Sequence, residues 1–260
     1  MIGSIPQLET SLIWVLIVLY SSLAFKVMRD GLDTRYRFFS LYLMSNGIGL
    51  LLTQIVVWPR SQYFQFWLLF QTVNWLLAAM MVIELLQLIL SEYPGLRTTG
   101  KVILVAAISI ALVLSIASLG IDFPTDVFSQ RTIAIAAVVH RAILFNLVIF
   151  LLVILTGLSW FPIQLNKNLK LHALLLFSVF FCEGFANLLR NRIGAQLNAV
   201  LTVSLFLFTI VVLTTWLLKL SKAGEQLPST TSSKVLSGKE QLLLLQMRAL
   251  DQALQKSLRK

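Results

Sequence analysis

Seven long apolar stretches occupy most of the chain between Leu12 and Leu218. Each contains about 18–25 residues, the length that an α-helix needs to cross the roughly 30 Å hydrocarbon core of a bilayer. Because backbone amides in lipid must be hydrogen-bonded within their own segment, the stretches predict membrane-spanning helices. The predicted fold is therefore all-α, a bundle of seven transmembrane helices with spans at Thr10–Met28, Phe38–Trp58, Phe64–Leu90, Val102–Leu119, Ile133–Leu155, Leu171–Leu189 and Leu197–Leu218.

The composition agrees with a membrane protein. Hydrophobic residues make up 58% of the chain and charged residues only 12%, which excludes a soluble globular domain of this size. The single cysteine, Cys182, lies inside a span and cannot form an internal disulfide. No Lys or Arg precedes the first span, so we expect this span to be retained rather than cleaved as a signal peptide.

The distribution of Lys and Arg predicts the orientation of the bundle. These residues are concentrated in the first, third and fifth connections and in the C-terminal tail, whereas the opposite connections hold only Arg60, Arg131, Arg190 and Arg192. Short basic loops stay in the cytoplasm during insertion. The pattern predicts a multi-pass protein of the plasma (inner) membrane, with its N-terminus outside and its C-terminus in the cytoplasm.

The net charge of +10 follows from this topology and from contact with anionic lipid of the inner leaflet. Nucleic-acid binding is excluded, because the basic residues are not interleaved with aromatic residues on a folded surface.

A change of composition after the seventh span predicts three regions: the transmembrane domain at 1–220, a flexible linker at 221–237 and an amphipathic cytoplasmic helix at 238–260. Ser237 and Glu240 form a capping box at the start of this helix. Three roles remain open: the helix lies on the inner leaflet, pairs with a second copy, or docks on a membrane or cytoplasmic protein. Its apolar face consists of Leu243, Met247, Leu250 and Leu254, opposite Arg248, Asp251, Gln252 and Lys256.

Ionisable residues within spans are costly and are the candidates for function. His140 and Arg141 lie about 12 Å below the outer end of the fifth span, and Glu183 lies at a similar depth in the sixth. Glu183, Asn187 and Arg190 follow one another on one helix face. Two interpretations stay open: an Arg141–Glu183 ion pair that joins two helices, or a polar pocket that binds a small ligand or passes protons, with His140 as the titrating group.

A second polar group lies toward the inner end of the third span. Glu84 and Gln87 occupy nearly the same helix face. We expect Glu84 to reach the inner headgroups or to pair with a basic residue of the following connection, such as Arg97 or Lys101.

Several chemistries are excluded by the residues themselves. No span has a central lysine for a retinal Schiff base, and the two histidines lie at opposite membrane levels, which excludes two-histidine haem ligation. The sequence has no HExxH motif, no phosphate-binding glycine loop and no cysteine pair. The sequence therefore predicts no metal, no cofactor and no enzymatic activity.

The segment from Tyr63 to Lys101 runs from Tyr-Phe-Gln-Phe-Trp to Glu-Tyr-Pro-Gly-Leu-Arg and resembles a group of uncharacterised bacterial seven-span membrane proteins. This resemblance implies no known activity. The architecture is also similar to the membrane sensor modules of some bacterial histidine kinases, which would leave signalling to a separate partner. The predicted function is a non-enzymatic sensor, adaptor or accessory subunit; the alternative is a small-solute or proton-coupled transporter.

Overall fold

The computed structural model describes residues 5–56, 59–91, 128–160, 165–190 and 195–225, together with residues 96, 98–102, 105–106, 109–110, 113, 242, 245–246, 248–249, 251–252 and 256. In this part of the chain all regular secondary structure is helical. The long helices are α1 (Ile5–Arg29), α2 (Arg37–Ile55), α3 (Arg60–Ile89), α4 (Phe128–Trp160), α5 (Lys167–Arg190) and α6 (Ala195–Lys219), and a 3₁₀ helix at Lys222–Glu225 follows α6.

Within the described residues, five helices are long and apolar enough to cross a membrane, and the protein is therefore a helical membrane protein. These segments are Gln7–Arg29, Arg37–Ile55, Gln62–Ile89, Lys167–Asn187 and Asn198–Lys219, and they correspond to the first, second, third, sixth and seventh predicted spans. The predicted fifth span lies within α4, where Ala142–Thr156 forms an apolar helix. The predicted fourth span, Val102–Leu119, lies mostly outside the described residues, so seven spans remain a prediction.

The six long helices form a closed ring. Each helix packs against its neighbours in chain order, and α1 closes the ring by packing against α6 as well as α2. Large side chains such as Phe39, Leu147 and Phe180 are fully buried in the core. Apolar side chains such as Phe25 and Leu69 are exposed on the outside, which is the surface that a helical bundle presents to lipid.

A tight turn between α1 and α2 returns the chain into the ring. Gly31 has a φ of 68°. Its N–H donates to the Met28 carbonyl (3.0 Å), and the Leu32 N–H donates to the Val27 carbonyl (2.9 Å). This is the Schellman arrangement, in which glycine adopts the left-handed conformation without a Cβ clash. Leu32 is buried, so the turn is packed against the bundle.

The start of α2 is capped by a side chain from another helix. Tyr36 precedes α2 and makes no side-chain capping bond. Instead, the carboxylate of Glu84 on α3 accepts hydrogen bonds from the backbone N–H groups of Arg37 (2.8 Å) and Phe38 (3.1 Å). The first amides of a helix lack intrahelical acceptors and favour negative charge nearby. Glu84, which we expected at the headgroups or beside a basic loop, therefore joins α3 to α2.

We predict that Glu84→Ala destabilises the bundle by about 1–3 kcal/mol, because two helix N–H groups would lose a charged acceptor. Unfolding by heat or denaturant in detergent micelles measures the effect. Gln87→Ala is the matched control, since half-buried Gln87 lies one turn further along α3. Equal losses of stability in the two variants would contradict the capping role.

Candidate functional site

Polar side chains form two groups at different levels of the bundle. We call the first the core cluster, which consists of Ser45, Asn46, Asn74, Trp75, His140 and Glu183. We call the second the clasp, which consists of Arg35, Tyr36, Asn166, Asn168, Ser221 and Glu225.

The core cluster is centred on a contact between α4 and α5. His140 Nε2 lies 3.2 Å from Glu183 Oε1. Glu183 lies about 24 Å of helix from Lys167 and about 6 Å from Asn187, the two ends of the candidate span, so the pair lies within the span and nearer the end opposite the clasp. The His140 side chain is 13% exposed and that of Glu183 is 36% exposed, so the carboxylate is the more accessible partner.

Other helices of the ring add polar groups to this pair. The Trp75 ring on α3 lies 5.3 Å from the His140 ring, measured between centroids. Its buried Nε1 has no hydrogen-bond acceptor among the described residues. The Asn74 side-chain oxygen accepts hydrogen bonds from Ser45 (3.0 Å) and Asn46 (3.4 Å) on α2. Four helices, α2 to α5, thus contribute to one polar region.

The structure brings together two of the five residues that the sequence grouped here. His140 is a described partner of Glu183. The side chain of Arg141 lies outside the described residues, so its predicted ion pair with Glu183 is untested. Asn187 is half-buried and lies one turn beyond Glu183. Arg190 is the last residue of α5, and its side chain is also outside the described residues.

The clasp gathers four donors around one carboxylate. Glu225 Oε1 accepts hydrogen bonds from the Tyr36 hydroxyl (2.7 Å) and the Asn168 amide (2.6 Å). Its Oε2 accepts one from the Asn166 amide (3.0 Å) and forms an ion pair with Arg35 (3.0 Å). Burial, together with the hydrogen bond to Glu225 and its negative charge, raises the pKa of Tyr36. The phenol therefore keeps its proton and remains a donor at neutral pH.

The same asparagines organise the backbone beside Glu225. The Asn166 side-chain oxygen accepts the Leu169 N–H (2.7 Å) and caps the start of α5. The Asn168 amide donates to the Ser221 carbonyl (2.7 Å) just after α6. A Cβ on Gly224 would overlap the Asn168 side chain, so glycine is required for this close approach. The clasp thus joins the α1–α2 turn, the start of α5 and the end of α6.

Aromatic packing supports the clasp from within the bundle. His172 is 2% exposed, and its ring lies 5.2 Å from that of Tyr36, 4.5 Å from that of Phe39 and 5.6 Å from that of Trp216. His172 Nδ1 and Trp216 Nε1 have no hydrogen-bond partner among the described residues. The two rings therefore contribute packing between α2, α5 and α6 at this level.

The clasp was not predicted from the sequence. Residues 221–237 were predicted as one flexible linker, whereas Ser221 and Glu225 belong to the clasp and Lys222–Glu225 forms a 3₁₀ helix. The available signal was Asn166, a favoured N-cap residue placed just before an apolar helix. No pattern in the sequence pairs it with a carboxylate some sixty positions later.

The C-terminal tail is hydrogen-bonded to the segment that follows α3. Asp251 is 6% exposed, and its carboxylate accepts the Leu96 N–H (3.0 Å). The described residues from 242 to 256 are helical, and Leu242 and Leu245 are exposed. The predicted docking face of Leu243, Met247, Leu250 and Leu254 lies outside the described residues.

Comparisons with protein-family models, curated proteins and solved structures find no significant match to the chain. Within the described residues, no group of three or more His, Cys, Asp or Glu side chains is placed to hold a metal ion.

We predict that Gly224→Ala opens the clasp, because the new methyl group would displace Asn168 from its hydrogen bonds. At about 1 kcal/mol for each lost bond, trypsin cleavage after exposed Lys222 should become about tenfold faster or more. Limited proteolysis of the full chain in detergent measures the rate. Ala223→Ser is the control, since residue 223 is exposed and its added hydroxyl meets solvent. Similar cleavage rates for the wild-type protein and Gly224→Ala would refute the requirement for glycine.

Proposed function

We propose that the protein is a non-enzymatic sensor or adaptor of the plasma (inner) membrane. In this proposal the core cluster responds to a small polar ligand, and the clasp transmits the response to the C-terminal tail. The tail then engages a membrane or cytoplasmic protein through Leu243, Met247, Leu250 and Leu254, or pairs with a second copy.

The observation that carries the proposal is the position of α5. This one helix bears Glu183 of the core cluster and, at its other end, Asn168 of the clasp. Asn168 binds Glu225, after which the chain continues into the tail. A shift or rotation of α5 that follows a change at Glu183 would therefore alter the contacts that hold the start of the tail.

The His140–Glu183 pair provides the input. Its two side chains join α4 to α5 through a 3.2 Å contact, and the Glu183 carboxylate is the more exposed of the two. A polar ligand that competes for Glu183 would weaken the contact between α4 and α5.

The direction of the helices supports seven crossings. α3 ends at the end of the ring that contains the clasp, because Glu84 near its C-terminus caps the start of α2. α4 ends there too, since only residues 161–166 separate it from α5, which begins in the clasp. α3 and α4 thus run in the same direction, so the end of α3 and the start of α4 lie at opposite ends of the ring. This arrangement agrees with the predicted fourth span between them.

The clasp end is the basic end, which supports its placement in the cytoplasm. Lys26, Arg35, Lys167, Lys219 and Lys222 lie in or beside the three connections that meet there. The positive-inside rule assigns such an end to the cytoplasm. The N-terminus of α1 and the connection between α2 and α3 then face outward.

Cysteine labelling tests this orientation. In a Cys182→Ser background, we predict that Gln62→Cys reacts with a membrane-impermeant maleimide in intact cells. Thr34→Cys should react only after permeabilisation, because residue 34 lies in the basic connection between α1 and α2. Both positions are exposed, so they differ in sidedness rather than burial. Labelling of Thr34→Cys in intact cells would show that the orientation is the opposite of the predicted one.

A change at Glu183 should alter the clasp if the sensor proposal is correct. We predict that Glu183→Gln changes the rate of trypsin cleavage after Lys222 in nanodiscs by roughly 2- to 30-fold, the range expected for a coupling of 0.5–2 kcal/mol. Ser178→Ala is the control on the same helix, because the Ser178 hydroxyl bonds to the Leu174 carbonyl within α5. An unchanged cleavage rate in Glu183→Gln would show that the core cluster is not coupled to the clasp.

The second candidate function is a small-solute or proton-coupled transporter, which is favoured by the polar region that the helical ring surrounds. Flux of protons or solute into liposomes that is lost in Glu183→Gln would support it. An adaptor would show no flux. It would instead lose a co-purifying protein when Leu243, Met247 and Leu250 are replaced by serine.

A further inference from the structure

We infer that a groove at the basic end of the bundle binds the phosphate group of an anionic phospholipid. The groove lies between the start of α5 and the end of α6 and has a volume of about 450 Å³. Its lining includes Lys167 and Leu171 of α5, Thr215 and Lys219 of α6, and Ser221 and Gly224 of the segment that follows α6.

The charge of the groove is uncompensated. Lys167 and Lys219 are exposed, and no acidic side chain is among the described residues that line the groove. The carboxylate of the neighbouring clasp, Glu225, is already engaged by Arg35, Tyr36 and the two asparagines. Two ammonium groups on facing helices therefore provide a site for an anion, and phosphate is a frequent ligand of lysine.

The level of the groove favours a lipid over a soluble anion. Lys167 and Lys219 are the terminal residues of two candidate spans, Lys167–Asn187 and Asn198–Lys219. Charged residues at the ends of spans lie at the headgroup level, where the phosphates of lipids are found.

The surface below the lysines suits an acyl chain. On α5, Lys167, Leu171 and Leu174 follow one another at spacings of four and three residues, so they share one helix face. On α6, Lys219, Thr215 and Val211 share a face at spacings of four. Leu174 is 55% exposed and Val211 is 63% exposed. The Thr215 hydroxyl donates to the Val211 carbonyl, so this wall offers little polar surface. Both stripes thus change from charged to apolar in the direction of the membrane centre.

Lipid titration of the full-length protein tests the assignment. Phosphatidylglycerol is added to the protein in a neutral detergent, and native mass spectrometry counts the lipid molecules retained. We expect one tightly held phosphatidylglycerol, and about 10- to 30-fold weaker retention in the double variant Lys167→Gln, Lys219→Gln. The matched control is Lys170→Gln, Lys222→Gln, which removes the same charge from exposed lysines that do not line the groove.

The outcomes distinguish a specific lipid site in the groove from nonspecific attraction of anionic lipid to the basic surface. Near-normal retention in the control variant supports the groove, whereas equal losses in both double variants would show only attraction to the basic surface and overturn the proposal. Competition by millimolar glycerol 3-phosphate as effective as that by the lipid would assign the groove to a soluble phosphate instead and overturn it equally. The assignment of the groove to a lipid is tested independently of the sensor proposal, because Glu183 takes no part in this measurement.

Discussion

A carboxylate that leaves water must be met by donors, and this requirement organises the bundle. Glu84 receives the first backbone amides of α2, Glu183 contacts His140 on α4, and Glu225 collects four donors in the clasp. In each case the partner belongs to another helix or turn. Apolar side chains pack in many alternative ways, whereas an acceptor without its donors is strongly destabilised. These three contacts therefore select one arrangement of the helices.

The basic end of the bundle combines a structural and a proposed functional role. The clasp holds three connections together, and aromatic packing around His172 supports it from within. Its carboxylate neutralises Arg35 but leaves the lysines of the adjacent groove uncompensated. Asn168 both lines this groove and donates to Glu225, so one side chain connects the proposed lipid site to the start of the tail. A lipid bound there would stabilise the same closed clasp that α5 connects to the core cluster.

Part of the candidate site could be predicted because depth along a helix follows from residue count. The levels of His140 and Glu183 indicated that they could meet between neighbouring helices, and the structure places them in contact. The sequence favoured an ion pair of Arg141 with Glu183, because charge alone points to the arginine, and this pair stays a prediction. Adjacent residues differ by about 100° around a helix, so residue count alone does not determine that His140 faces Glu183; the rotation of α4 in the ring does. The role of Glu84 was unpredictable for a related reason, since a cap supplied by a distant helix leaves no local signature at Tyr36.

The sequence by itself determined the helical class, the apolar spans and the concentration of positive charge at one end. Each of these properties is a sum over residues that are consecutive in the chain, so no knowledge of neighbouring helices is required. Only the tertiary structure decided the order of helices in the ring, the partner of each carboxylate and the inclusion of Lys222–Glu225 in the folded bundle. Those features depend on contacts between residues far apart in sequence, and such contacts form through packing and hydrogen bonding that periodicity and composition do not encode.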